Sequence, residues 1–568
     1  MKINGMIGPG KDLPANLKRL SRKDFLRLGG AGVAGAAMLG TAGCGVFDSS
    51  GDSGGGGNGS GGSSVSVNLG DTIRDLNSTT TTDSVSTDLL LNVMDGLYRL
   101  NDNQEPVPAM AEGIEVSEDQ LTYTFTIKDG VTWSDGSPVT AQDFEFAWIR
   151  ALDPETAGQY AFIIAQFVEG ATEFNAGDGS REDVGISATD DKTLEVTLAE
   201  PAPFFLGLTS FFTYLPQKQS FVEDQGDNYA QNAGGLLYNG PYILEEVQPT
   251  QGATFVKNAD YWDADNVDIQ RIEGRIVKEL DTAVNLYESG ELDVTEIDSQ
   301  YVDEFRGSPD FHSQTNFACF YMVFNYADEV FRNANIRKAF QIGYDRAALT
   351  NEIINNGSEP ASGYVPAGIA ANGGDAQTFR QVQGSVQPAF DAQEAKRLFE
   401  QGIQEVGENP TIELLAYDDS VARDIATFLQ SQFEDNLGAK IDVNVQPFDR
   451  KLELEANGEF QLSWQGWIGD YNDPMTFLDL WLSDASFNTQ KYVNDRYDQL
   501  ITEAQGEADA AARLDLMLEA ERLLVEEDAG CAPMYFEGQA NLLRPTIKNF
   551  IEHPYGAGKD FKLWRLES

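Results

Sequence analysis

The sequence has 568 residues, 41% of them hydrophobic, which is long enough for at least two lobes that each bury a core. Asp and Glu number 91 against 39 Lys and Arg, for a formal charge of -52, which argues against binding nucleic acid or an anionic membrane through a basic face. Three cysteines and two histidines, without zinc-type spacing, leave little material for a metal site or histidine-based catalysis. We expect no cofactor.

Residues 1–43 have the composition of an export signal, with a basic start, an apolar middle and a small-residue exit. The apolar run 28–43 is shorter than the ~20 residues of a membrane span, so we expect cleavage. "SRKDFLR" resembles the twin-arginine export motif, with Lys23 in place of the second arginine, which leaves the export route open. "LGTAGC" resembles a bacterial lipobox, which implies that Cys44 becomes the lipidated first residue; the alternative is an unmodified thiol.

The next segment, 44–64, joins Cys44 to "DSSGDSGGGGNGSGGSS", a Gly/Ser tract that cannot form a core. As a flexible coil, this tract would hold the folded body roughly 20 to 25 Å from a lipid anchor. The sequence therefore predicts a tethered protein on the extracytoplasmic face of the cell membrane, in the periplasm or at the cell surface.

From Val65 onward the pattern is mixed α and β. "LTYTFTIKDGVTW" predicts a hairpin that turns at Asp129 and Gly130, and Thr140 is predicted to cap a helix with Asp143. Further strands are predicted at 193–198, 252–258 and 439–448. Further helices are predicted at about 281–289, 335–355, 392–405, 420–436, which Gly438 ends, and 510–528. Strands and helices alternate throughout, which favours α/β lobes.

Several stretches resemble the extracytoplasmic solute-binding proteins of peptide ABC transporters, the oligopeptide and dipeptide binding family, also called solute-binding protein family 5. They include "NVMDGLYRL" at 92–100, "YNGPYILEEV" at 238–247, "NANIRKAFQIGYDR" at 333–346 and "GWIGDYNDPMTFLD" at 466–479. The resemblance covers about 500 residues in the family's order. It implies a type II periplasmic-binding-protein fold, with two lobes joined by a hinge and a small extra domain in the first lobe.

The resemblance also implies a division of the chain. The first lobe would comprise 65–95, 204–315 and 537–568, the extra domain 96–203, and the second lobe 316–536. The binding site would lie between the two lobes.

By the same resemblance, Asp470 is the aspartate that binds the ammonium group of a peptide. Gly466, Trp467 and Ile468 would form a strand that pairs with the peptide backbone, and Thr82, Asp83 and Ser84 would form the opposing strand. Some relatives have a basic residue for the peptide carboxylate where this chain has Trp464, so the way the ligand's far end is held stays open.

Several of these residues admit other interpretations. Asp473 precedes Pro474 and an apolar run, which indicates a helix cap. A calcium loop built on Asp470, Asn472 and Asp473 lacks the required glycine and glutamate. Cys319 and Cys531 would either form a disulfide, which export favours, or stay as two buried thiols.

The leading hypothesis is a lipid-anchored, monomeric protein that captures peptides, oligopeptides in particular, and delivers them to an ABC transporter permease. A second hypothesis keeps the scaffold but changes the solute to a sugar oligomer or a metal complex. A third is an extracytoplasmic hydrolase with paired carboxylates, but no spacing in the sequence identifies a partner for Asp470. We therefore expect a binding protein and not an enzyme.

Overall fold

The computed structural model describes residues 63–372, 377–485, 487–555 and 558–567. The predicted export signal, the lipidation site at Cys44 and nearly all of the predicted tether lie outside these ranges. Within them, the first strand begins at Ser64, where the Gly/Ser tract ends.

The described residues form strands that we number in chain order. They are β1 Ser64–Asn68, β2 Tyr98–Leu100, β3 Pro106–Pro108, β4 Ala111–Val116, β5 Thr122–Ile127, β6 Ile186–Ala188, β7 Thr193–Thr197, β8 Tyr242–Gln248, β9 Gly252–Lys257, β10 Arg271–Arg275, β11 Val294–Ile297, β12 Phe311–Phe324, β13 Glu359–Pro360, β14 Thr411–Tyr417, β15 Lys440–Gln446, β16 Leu462–Ile468, β17 Cys531–Leu543, β18 Ile547–Lys548 and β19 Arg565–Leu566.

The α-helices are numbered in the same way. They are α1 Ser84–Val93, α2 Ala141–Leu152, α3 Phe162–Ala165, α4 Ala171–Ala176, α5 Phe205–Leu208, α6 Gln219–Gln225, α7 Leu280–Ser289, α8 Ser299–Phe305, α9 Ala334–Ile342, α10 Arg346–Ala348, α11 Phe379–Gln383, α12 Ala392–Val406, α13 Ser420–Leu437, α14 Phe448–Ala456, α15 Met475–Leu478, α16 Asp495–Gly506 and α17 Ala510–Arg522. Two π-helical segments, Leu349–Ile354 and Leu523–Glu527, continue from α10 and α17.

One large sheet organises the body, with strand order β15-β14-β16-β12-β17-β11-β1-β10-β9-β8. The long strands β12 and β17 pair with each other and take part in both halves of this sheet. Their pairing is irregular between Thr315 and Cys319, close to the predicted lobe boundaries at 315/316 and 536/537. On one side of that irregularity β12 pairs with β16, and on the other side β17 pairs with β11.

Two large apolar cores lie against the sheet. One core joins β14 and β16 to α9, α12 and α13, with Phe340 and Phe433 in ring contact at its centre. A larger core extends along the sheet, from Tyr321 and Val323 of β12 to Val67 of β1, and includes a four-stranded sheet, β4-β5-β7-β6, on which α2 packs. Apolar burial on this scale is the main force that stabilises each half.

The helix α2 begins as its sequence predicts. Thr140 and Asp143 form a capping box, and Phe144, Ala147, Trp148 and Ala151 are buried along one face. The ends of α7, α12 and α13 lie within a residue or so of prediction, and Gly438 ends α13 in the left-handed conformation at φ 74°.

Two element predictions are wrong. The chain does turn at Asp129–Gly130, but β5 pairs with β4 and β7 and not with residues 131–133, which make a single bridge from Thr132 to Pro138. The helix predicted at 335–355 ends at Ile342, because the Asp345 carboxylate accepts hydrogen bonds from the backbone N–H groups of Ala347 and Ala348 and starts α10. Local periodicity does not specify a strand's partner, and an internal aspartate can start a new helix.

The disulfide considered from the sequence is not formed: Cys319 and Cys531 are two buried free thiols. Cys531 lies opposite Val323, and Cys319 lies opposite Phe536. The two cysteines are therefore separated by four residues along β12, about 13 Å of extended strand. This exceeds the Cα separation of about 7 Å that a disulfide can span.

Candidate functional site

The strand predicted to contact the ligand backbone is present as the second half of β16. This strand pairs with β12 along its whole length, from Leu462 opposite Phe324 to Ile468 opposite Ala318. Its other edge pairs with β14 only at Leu462 and Ser463. Among the described residues, no strand pairs with this edge over 466–468, so these backbone groups can accept an added strand.

Asp470 follows β16 by two residues and lines a cleft together with Tyr98, Gly207, Ser210 and Phe211. Its backbone N–H donates a 3.1 Å hydrogen bond to Thr476 Oγ1. In the part of the chain that the structure describes, its carboxylate oxygens contact no hydrogen-bond donor and no cation. Burial raises the pKa of Asp470 to about 7, because a buried carboxylate without a partner favours its neutral form.

The cations that share this cleft are already paired with other carboxylates. Arg99 contacts Asp95 and Asp560, and Lys559 Nζ lies 2.8 Å from Glu552 Oε1. The Asp470 carboxylate is therefore available to a cation supplied from outside the protein.

Asp473 stabilises the loop that carries Asp470. Its Oδ1 accepts a 3.0 Å hydrogen bond from the backbone N–H of Met475, which confirms its predicted role at the start of α15. Its carboxylate also forms two 2.8 Å hydrogen bonds with Arg513 of α17. Sequence reasoning missed this pair, although an arginine on the face of α17 that also carries the buried Met517 and Ala520 was a usable signal.

The predicted opposing strand is not a strand. Thr82 and Asp83 precede α1, with the Asp83 backbone extended, and Ser84 is the first residue of that helix. The Asp83 side chain accepts a 2.9 Å hydrogen bond from Ser86 N–H, so the helix cap determines the local structure here. Within the described ranges, no hydrogen bond or ion pair joins these residues to 466–470.

The three tryptophans of this region have different surroundings. Trp464 is buried against Tyr417, and its carbonyl accepts a 2.8 Å hydrogen bond from Lys451 Nζ. Trp467 is partly exposed at the free edge and meets Phe487 edge to face, with ring centroids 5.0 Å apart. Trp481 is a core residue.

The described residues contain no group of three or more His, Cys, Asp or Glu side chains arranged to hold a metal ion. Nor, among the helices that the structure describes, is any long and apolar enough to cross a membrane.

The fold places the chain among the periplasmic binding proteins of type II, with two lobes and a small extra domain. Its structure superimposes on Listeria monocytogenes OppA bound to peptide with a TM-score of 0.73, at 33% identity over 90% of this chain and 100% of that one. It matches the substrate-binding domain of an oligopeptide ABC transporter from Bacillus anthracis with a TM-score of 0.74, at 34% identity over 90% of this chain and 99% of that one.

Sequence comparison gives the family. The chain is 34% identical over 475 residues to the dipeptide-binding protein DppE of Bacillus subtilis, covering 83% of this chain and 86% of DppE. Residues 105–489 match the family described as bacterial extracellular solute-binding proteins, family 5. The chain belongs to this family, and it is a solute-binding protein and not an enzyme.

Proposed function

We propose that this protein binds short peptides, oligopeptides in particular, in the cleft that Asp470 lines. The observation that carries the proposal is the unpartnered Asp470 carboxylate, two residues beyond the free backbone edge of 466–468. Relatives named for dipeptide and oligopeptide binding, and a related structure bound to peptide, agree with this ligand class.

Each part of the site would recognise a group that all peptides share. The edge of Gly466, Trp467 and Ile468 would exchange backbone hydrogen bonds with an extended ligand, which gives affinity independent of side chains. The Asp470 carboxylate would hold the terminal ammonium. A bound ammonium favours the charged carboxylate and so offsets the burial that raises the pKa of Asp470.

The two lobes are proposed to close on the peptide. In this proposal the first lobe comprises 65–95, 204–315 and 537–568, the extra domain 96–203, and the second lobe 316–536. The irregular pairing of β12 with β17 near Thr315 and Cys319 supports a hinge at that level. Ligand contacts on both sides of the cleft would favour the closed state.

The proposal extends to location and partner. Lipidation of Cys44 after export would anchor the chain outside the cell membrane, and residues 44–64 would form the tether. The start of β1 at Ser64, the last residue of the tract, is consistent with this arrangement. The anchored, monomeric protein would deliver peptides to an ABC transporter permease.

Calorimetry with one short peptide in free and N-acetylated form tests the binding proposal. The free peptide is expected to bind, and acetylation should remove most of the affinity because it removes the ammonium charge. Equal affinities would rule out the role of Asp470, and failure of both forms to bind would rule out peptides of that length. Mass spectrometry of small molecules that copurify would identify a different solute.

A further inference from the structure

A second cleft, separate from the one that Asp470 lines, begins at the next residue, Tyr471. The rings of Phe204 and Tyr471 stack in its wall, with centroids 4.1 Å apart and planes at 11°. Phe167 meets both rings edge to face, at 5.3 and 5.9 Å, and Met475 adds a thioether. One wall of this cleft is therefore built from aromatic rings and a flexible apolar side chain.

Asp479 lines the same cleft, directly after α15. Throughout the described ranges, its carboxylate oxygens have no ion-pair partner and no donor from another side chain, and the donors near them are the backbone N–H groups of Asp479 itself and of Leu480. Arg513 is the one cation among the described residues that line the cleft, and its two 2.8 Å hydrogen bonds go to Asp473. The cleft thus presents one partly buried carboxylate whose charge no cation among the described residues neutralises.

The pKa of Asp479 and the charges around it also favour a cationic ligand. Burial raises the pKa of Asp479 to about 8, and the nearby carboxylates of Asp470 and Asp473 contribute further. The charged or titratable groups around it are Asp470, Tyr471 and Asp473 on its own segment, Tyr497 and Arg513 from neighbouring helices, and Glu200 across the cleft. A cation bound in the cleft would stabilise the ionised carboxylate of Asp479 and so lower its pKa.

We propose that this second cleft binds a primary alkylammonium group, with the charge at Asp479 and the alkyl chain against Met475 and the aromatic wall. A carboxylate beside an apolar wall fits a charged head on an apolar stem. Glu200 at the rim adds a second negative charge and disfavours an anionic ligand. The ammonium would come either from a free amine or from a lysine side chain of a bound peptide.

Calorimetry with pentylamine tests the site, and pentanol serves as the uncharged control. Wild type is compared with Asp479→Asn, with Asp470→Asn and with the matched control Asp484→Asn, which changes an exposed carboxylate outside both clefts. Pentylamine is expected to bind wild type, Asp470→Asn and Asp484→Asn, and to lose about tenfold or more in affinity for Asp479→Asn. No binding to wild type, or loss only in Asp470→Asn, would overturn the proposal.

A measurement on wild type alone tests the same site without relying on a variant that could misfold. Titrations in buffers of different ionisation enthalpy report the protons released on binding. Because burial raises the pKa of Asp479 to about 8 in the empty cleft, pentylamine binding should release more protons at pH 7 than at pH 9. Binding without this difference would place the amine elsewhere.

A peptide pair identifies the source of the ammonium. Gly-Lys-Gly is compared with Gly-norleucine-Gly, which keeps the peptide's own ammonium but removes the side-chain charge. A preference for lysine that Asp479→Asn abolishes assigns the site to a peptide side chain, whereas pentylamine binding without that preference assigns it to free amines. Because the acetylation test depends on Asp470, failure of the peptide proposal and failure of this one remain distinguishable.

Discussion

Arg513 holds Asp473 through two parallel hydrogen bonds, Nη1 to Oδ2 and Nη2 to Oδ1, each 2.8 Å long. Both side chains are buried, at 2% and 0% exposure. Asp473 lies three residues after Asp470 and also accepts the Met475 N–H, so the pair connects α17 to the loop that presents Asp470. The positions of both candidate sites depend on this contact.

Replacing Arg513 with Met is expected to destabilise the protein by about 3 to 5 kcal/mol, because it leaves the Asp473 carboxylate buried without its cation. The matched control is Arg496→Met. Arg496 pairs with Glu519 between α16 and α17, but both side chains are 49% exposed, so we expect a loss below about 1 kcal/mol. Urea unfolding measures both, and equal losses would show that the buried pair contributes no more than a surface pair.

Replacing Asp470 with Asn should weaken binding of a free peptide by about a hundredfold, since the ligand ammonium would then be desolvated without a counter-charge. The variant should also lose the preference for free over acetylated peptide. Asp484→Asn, at an exposed position, should bind like wild type. A variant at Asp470 that still discriminates against acetylation would place the ammonium elsewhere.

Peptide affinity should depend on pH through Asp470. Its pKa in the empty protein is about 7, raised by burial, and the ammonium binds the ionised form. Affinity should therefore rise with pH up to about 7, by about tenfold per unit well below that value, and fall again as the peptide amine loses its proton near pH 8. Calorimetry from pH 5 to 9 checks this, and a profile that is the same in wild type and Asp470→Asn would contradict it.

The sequence predicts those structural features that depend on neighbouring residues, and it fails for those that depend on residues distant in the chain. The capping box at Thr140 and Asp143 and the helix end at Gly438 were predictable, because each is decided within a few residues. The partners of β5 were not, because strand pairing joins residues that are distant in sequence.

In the candidate site, too, some features could be predicted and others depend on residues distant in the chain. The position of Asp470 was inferred from family resemblance, whereas its lack of a partner depends on Arg99, Lys559 and Arg513, each paired with another carboxylate. Asp479 could not be identified from the sequence either, because its lack of a cation partner also depends on residues that are distant in sequence. The wrong prediction at 82–84 has a different cause. Asp83 precedes Ser84 and several apolar residues, which is a pattern typical of a helix start. The family resemblance led us to predict a strand there instead.

Replacing Asp83 with Ala should cost about 1 kcal/mol of stability through loss of the cap on α1. Asp83→Ser keeps an oxygen that can accept from Ser86 N–H and should retain most of that stability. Thermal unfolding compares the two variants. Peptide calorimetry on the stable Ser variant then separates the roles, because a large loss of affinity there would assign Asp83 to the ligand as well as to the cap.

Methylation of single backbone nitrogens in the peptide ligand tests pairing with the free edge of β16. An extended strand directs successive N–H groups to opposite sides, so only alternate ligand amides can face Gly466–Ile468. Methylation at those positions should cost about 1 to 2 kcal/mol each, and methylation at the intervening positions should cost less, because no strand at 82–84 opposes them. Calorimetry of a methylation series on one tetrapeptide measures this pattern. Equal losses at neighbouring positions would show that both edges of the ligand are hydrogen-bonded, and no loss at any position would show that β16 does not pair with the peptide.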